Sequence, residues 1–144
     1  MFERLEGYIK DYNKIVIRKT LNERYDKYVG MSRSTIETYL GQDAWYTTGT
    51  TASYWGTGLI SMITARFTDS SMQRSNRIML TWSISTEDEF EAVTNVLSEI
   101  YTPLENGSTE NIKQFINAST LDQATVGISW DSHNKCLYFD AINN

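Results

Sequence analysis

Ile78-Met79-Leu80-Thr81-Trp82-Ser83-Ile84-Ser85-Thr86-Glu87-Asp88-Glu89-Phe90 decides the fold class, because the apolar period changes inside it. Ile78, Leu80, Trp82 and Ile84 alternate with Met79, Thr81 and Ser83, the pattern of a half-buried strand. Thr86 followed by Glu89 then forms a capping box, and Glu87, Asp88 and Glu89 fall in a first turn where the helix dipole favours negative charge. Phe90, Val93, Leu97 and Ile100 continue as one helical stripe until Pro103 and Asn106-Gly107 break it. A strand therefore hands over to a helix across 86–101.

Upstream, Leu59 to Thr68 is apolar on both sides, with Leu59, Ile63 and Phe67 on one and Ile60 and Met62 on the other, which suits a central strand. Before it, 43–58 mixes aromatic and hydroxyl residues with Gly49, Gly56 and Gly58, and reads as two strands or one bent strand. The strands of this half lie within 44–84. At the N-terminus Phe2, Leu5, Ile9, Tyr12 and Val16 follow spacings of three and four, giving a helix over 2–28. Lys10, Lys14 and Arg18 recur on its far side, with Glu6 and Asp11 spaced to pair with them. Gly30 is a stop, and Ser34 to Leu40 adds a short helical piece before Gly41.

Downstream, Ile112, Phe115 and Ile116 suggest a short helix over 110–118. Val126, Ile128 and Trp130, the turn Asp131 to Asn134, and Leu137, Phe139 and Ala141 then make a hairpin over 124–142. No internal sequence repeat or linker interrupts the chain. The expectation is a single domain spanning 1–144, of α+β class: an antiparallel sheet of about five strands with helices packed on one face.

At 144 residues, with 40% apolar and 22% charged residues, the chain can bury one core without staples. Cys136 is its single cysteine, so no internal disulfide is expected, and one His with one Cys does not make a zinc set. No cofactor is expected. The charged N-terminus and the absence of a long apolar run point to a cytoplasmic protein with no membrane partner. Residues 1–84 hold eleven Lys or Arg against eight Asp or Glu, and residues 85–144 hold two against ten, so the parts carry +3 and −8. The acidic part suits a basic partner surface.

Chemistry is sparse. His133 with Asp131 is the one acid-base pair worth naming, and no nucleophile is tied to it. Gly56-Thr57-Gly58 precedes a strand, so it does not aim a helix N-terminus at phosphate. Arg4, Tyr8, Lys10, Lys14 and Arg18 resemble a phosphate-tracking row, but interleaved acids and a pI near 4.8 make nucleic acid an unlikely partner. The strongest candidate is Trp45, Tyr46, Tyr54 and Trp55, aromatic residues in a stretch with almost no charge. Strict alternation sets Trp45 and Trp55 on one face and Tyr46 and Tyr54 on the other, so the segment either completes the core or pairs with another chain.

These features lead to a non-enzymatic interaction protein, in an inhibitor, immunity-type, adaptor or chaperone role. It would bind a protein partner and form a homo-oligomer through the aromatic strand region. The alternative is a binder of small anionic ligands or nucleotides, with Arg66, Arg74 and Arg77 holding the anion and Trp82 stacking on a ring.

Overall fold

The computed structural model describes residues 14–83, 86–105, 108–109, 111–117 and 126–142. Helix α1 covers 14–21; the residues 2–13 of the expected helix lie outside the described residues. The helix stops short of 28 because Arg24 takes a left-handed conformation (φ 56°), after which Tyr25–Tyr28 forms one 3-10 turn. Helix α2, Arg33–Leu40, starts where the Ser32 side chain accepts the Thr35 N–H and ends at Gly41 with φ 69°.

Four strands follow: β1 (Tyr46–Thr48), β2 (Thr51–Trp55), β3 (Ile60–Phe67) and β4 (Ser75–Trp82). Helix α3, Glu87–Ile100, carries the capping box read from the sequence, with the Glu89 N–H donating to Thr86 Oγ1 at 3.2 Å. Then come β5 (Thr102–Leu104), β6 (Ile112–Asn117), β7 (Val126–Asp131) and β8 (Cys136–Ala141). All the pairings are antiparallel, in the order β1-β2-β3-β4-β8-β7-β6-β5. The class is α+β, and among the described residues the sheet has eight strands rather than about five.

Two segments account for the difference. The aromatic stretch is a hairpin turned at Gly49 (φ 39°), which yields β1 and β2. Residues 112–117, expected within a short helix, are a strand, and Thr102–Leu104 adds a further short strand at the sheet edge, the position in a sheet that tolerates Pro103. Glu110 and Ala118, the ends of that expected helix, and Ile84 lie outside the described residues.

The chain shows no repeat in sequence, yet the topology repeats. Helical segments precede a four-stranded meander, β1 to β4; α3 precedes a second one, β5 to β8; and the last strands of the two meanders pair with each other. The boundary between the +3 and −8 parts of the chain therefore falls between the two meanders.

Strand registers separate two rows of side chains. One row is buried: Ala52, Tyr54, Ile63, Ala65, Phe67, Ile78, Leu80, Trp82, Leu137, Phe139, Ile128 and Trp130. It forms a single cluster with Ile17, Leu21 and Ile36 and with Val93, Val96 and Leu97 of α3. Ile60 joins this row instead of opposing Ile63, because the β3–β4 register shifts between Ile60 and Met62. The other row is mostly half-buried or exposed, as at Met62, Thr64, Arg66, Arg77, Met79 and Tyr138, with Ser53 and Cys136 buried in it.

A buried carboxylate ties the two halves together. Asp26 accepts from Tyr101 Oη at 2.7 Å, Asn117 Nδ2 at 2.6 Å and Arg24 Nε at 3.1 Å. One side chain thus joins the 3-10 turn, the residue that caps α3 and β6. Burial, and then the Asp26 charge, push the Tyr101 hydroxyl well above the usual tyrosine range. Ser75 performs a smaller fastening, donating to the Tyr28 carbonyl at 2.6 Å and accepting the Gly30 N–H at 2.9 Å.

Candidate interaction site

The stretch 44–65 contains no charged residue. With 31 charged residues in 144, a run of 22 would ordinarily hold about five (22 × 31/144). The hairpin β1–β2 and β3 as far as Ala65 come from this run, and Arg66, opposite Thr51, is the one charged residue in these three strands.

Backbone bonds fix the aromatic side chains there. Tyr46 faces Ser53 in the ladder, while the Trp45 N–H also reaches the Ser53 carbonyl at 3.0 Å. Two residues oppose one, the arrangement of a bulge, which breaks the alternation of side chains between faces. Trp45 consequently stacks on Trp55, with ring centroids 4.9 Å apart and planes at 17°, and Tyr46 lies 5.7 Å from Trp45. The three rings form one exposed cluster: Trp45 is 46%, Tyr46 54% and Trp55 61% accessible.

Neighbouring polar groups hold this cluster from behind. The Gln42 side-chain amide donates to the Trp55 carbonyl at 2.9 Å and accepts the Trp55 N–H at 3.0 Å, completing β2 where β1 has ended. Glu37 Oε2 accepts from Arg33 Nε at 2.7 Å, from Tyr54 Oη at 2.9 Å and from the Ala44 N–H at 3.4 Å, which sets the approach to Trp45. Burial opposes the Glu37 charge, but the hydrogen bonds from Arg33 and Tyr54 outweigh it and hold the carboxyl below its ordinary value. Burial, and then its bond to Glu37, raises the Tyr54 hydroxyl well above the usual tyrosine range.

Tyr54 is therefore not part of the exposed cluster. It is fully buried in the row facing the core, because β2 places it opposite Ile63, and this removes it from the four candidate contact aromatics and from the face of Tyr46. The remaining three of the four aromatics come together. The edge itself is blunt, since a three-residue strand, a bulge and the Gln42 amide leave little backbone for strand addition. What the edge offers is side chains.

The arginine set is not assembled. Arg66 and Arg77 are cross-strand neighbours in the half-exposed row, whereas Trp82 is buried in the opposite row and stacks edge-on against Trp130. Arg77 is held by Asp140 through Nε at 2.5 Å and Nη2 at 3.1 Å, over the ring of Tyr138. Arg74 lies in the loop before β4, where its carbonyl accepts the Thr68 N–H.

Asp131 bonds the backbone N–H groups of His133 and Asn134 at 2.9 and 3.2 Å, so it shapes the β7–β8 turn. Its bond to His133 runs to the main chain and does not orient the imidazole. Arg18, from the basic row of α1, is engaged by both carboxylate oxygens of Glu99. A cleft of about 600 Å³ lies between the start of α3 and that turn, lined by Lys113, Lys135, Glu87, Glu91, Phe90 and Trp130 among others. Its mixed charge defines no ligand class. Among the described residues no three His, Cys, Asp or Glu side chains converge as metal ligands, and no helix is long and apolar enough to cross a membrane.

Comparison with protein-family models, with curated proteins and with solved structures yields no match in any of the three.

Proposed function

We propose that this is a non-enzymatic interaction protein that binds a macromolecular partner through Trp45, Tyr46 and Trp55. The reading takes the helices as a layer on the buried row of the sheet, which leaves the half-exposed row and the β1–β2 end free for contact. The observation that carries it is the stacked, roughly half-exposed Trp45–Trp55 pair with Tyr46 beside it, inside 22 uncharged residues. Trp and Tyr are the residues most enriched in contact hot spots, and charges are depleted at interface cores. Three aromatic side chains left about half exposed present roughly 300 Å² of ring surface, the size at which an apolar patch on a monomer is often functional.

The backbone bonds from Gln42 and Glu37 also support the reading, because they fix the rings before any partner arrives and so reduce the ordering cost of binding. The test is a photo-crosslinking amino acid placed at position 55 in cells, with position 91 on the outer side of α3 as control. Crosslinking to another polypeptide chain from position 55 alone is expected. Equal crosslinking from both sites, or none from position 55, would refute the proposal.

A further inference from the structure

We infer that the occupant of the aromatic patch is a second copy of this chain, docked about a twofold axis that passes beside Trp55. This rests on the reading of the patch as a contact surface and names its partner. In an isologous dimer each residue near the axis meets its own copy, so any charge there is opposed by the same charge. Close to the axis a self-pairing patch must therefore be free of charge, and Trp45, Tyr46 and Trp55 come from the uncharged run 44–65, bounded by Asp43 and Arg66, where the rest of the chain carries about one charge in four residues. A partner of a different sequence imposes no such condition, since it can supply the opposite sign.

The geometry also says how the copies meet. Strand addition needs a free backbone edge, and here β1 is three residues long, Trp45 and Tyr46 together oppose Ser53, and the Gln42 amide occupies both backbone groups of Trp55. The contact is consequently ring against ring, with the outer face of Trp55 packing on its counterpart and the hydroxyl of Thr48, in the same row as Tyr46, at the rim. Three rings supply roughly 300 Å² on each side, below the ~800 Å² per partner of a standard stable interface. The dimer is therefore a weak, concentration-dependent one, dissociating in the micromolar range or above.

The experiment measures mass by light scattering over a dilution series for the wild-type chain, Trp55→Glu, Trp55→Lys and an equimolar mixture of the two variants. Trp55 is 61% exposed, so both variants keep the fold, which circular dichroism checks. The wild type is expected to rise from 16.6 kDa towards twice that mass with concentration. Each variant alone is expected to dimerise at least about tenfold more weakly, and the mixture to recover. A wild type that stays at 16.6 kDa at every concentration, a dimer that both variants leave intact, or a mixture that stays monomeric while each variant is monomeric would each overturn the inference. A monomeric wild type that still crosslinks to another polypeptide from position 55 would remove the second copy and leave the contact surface standing; failure of both experiments would remove both.

Discussion

Replacing Tyr101 by Phe removes one hydroxyl and leaves the ring in place, 4% exposed and packed near Phe139. The lost bond is the 2.7 Å donation to Asp26, a buried carboxylate that keeps Asn117 and Arg24 as donors. A hydrogen bond to a charged group contributes about 1.5–3 kcal/mol, and two surviving donors argue for the middle of that range, about 2 kcal/mol. For 144 residues the unfolding entropy is about 0.3 kcal/mol/K, so Tm should fall by about 7 °C. Asp26→Ala removes the acceptor itself and strands the Tyr101 and Asn117 donors inside the protein, so about 3–5 kcal/mol and a fall of about 10–16 °C are expected. The assay is urea and thermal unfolding followed by circular dichroism, with Asn117→Ala and Tyr101→Phe combined in a double-mutant cycle. A Tyr101→Phe change smaller than about 0.5 kcal/mol would refute the view that Asp26 is the bond joining the two halves of the sheet.

Other expectations are independent of that network. Glu37 has its folded pKa lowered, so its contribution is present above its unfolded pKa and is lost as pH falls through the folded value; Glu37→Gln should therefore destabilise at pH 7 and show a flatter loss of stability in the acid limb, measured by urea unfolding from pH 7 to pH 3. Gly56→Ala drives a Cβ to 2.1 Å from the Ile60 carbonyl oxygen, which should cost more than about 2 kcal/mol or displace the 56–60 turn; a midpoint equal to wild type would contradict the close approach. Thr86→Ala removes the cap of α3 and should cost about 1 kcal/mol in the same denaturant assay. Trp45→Ala and Trp55→Ala should change stability by less than about 1 kcal/mol while abolishing crosslinking to the partner from a probe at position 46.

Local signals made much of the chain legible. Thr86 and Glu89 announced α3 because a capping box is read from residues three apart, and Val126 to Ala141 announced β7 and β8 because alternation and a polar turn coincide. Ile112, Phe115 and Ile116 misled because offsets of three and four occur in a strand as well as a helix. In β6, Ile112 and Ile116 share one row and Phe115 enters the other. Three apolar residues are too few to separate the two periods.

The aromatic site was half legible for a related reason. Composition marked 43–58, but strict alternation grouped Tyr54 with Tyr46 and split Trp45 from Tyr46, since a hairpin at Gly49 and two residues opposite Ser53 leave no trace in hydropathy. The Asp26 network was illegible because its partners stand 75 and 91 residues away in the chain. The same distance hid the failure of the arginine set, where neighbouring strands brought Arg66 and Arg77 together but the pleat sent Trp82 to the opposite row.

Oxidative footprinting of the protein, first dilute and isolated and then in the associated state recovered from cells, tests the central claim most directly. Trp45, Tyr46 and Trp55 should oxidise rapidly in the dilute protein, Trp82, Trp130 and Tyr54 should resist, and association should protect the first three residues selectively. Unchanged oxidation of Trp45 and Trp55 on association would show that the patch is not where this protein makes contact.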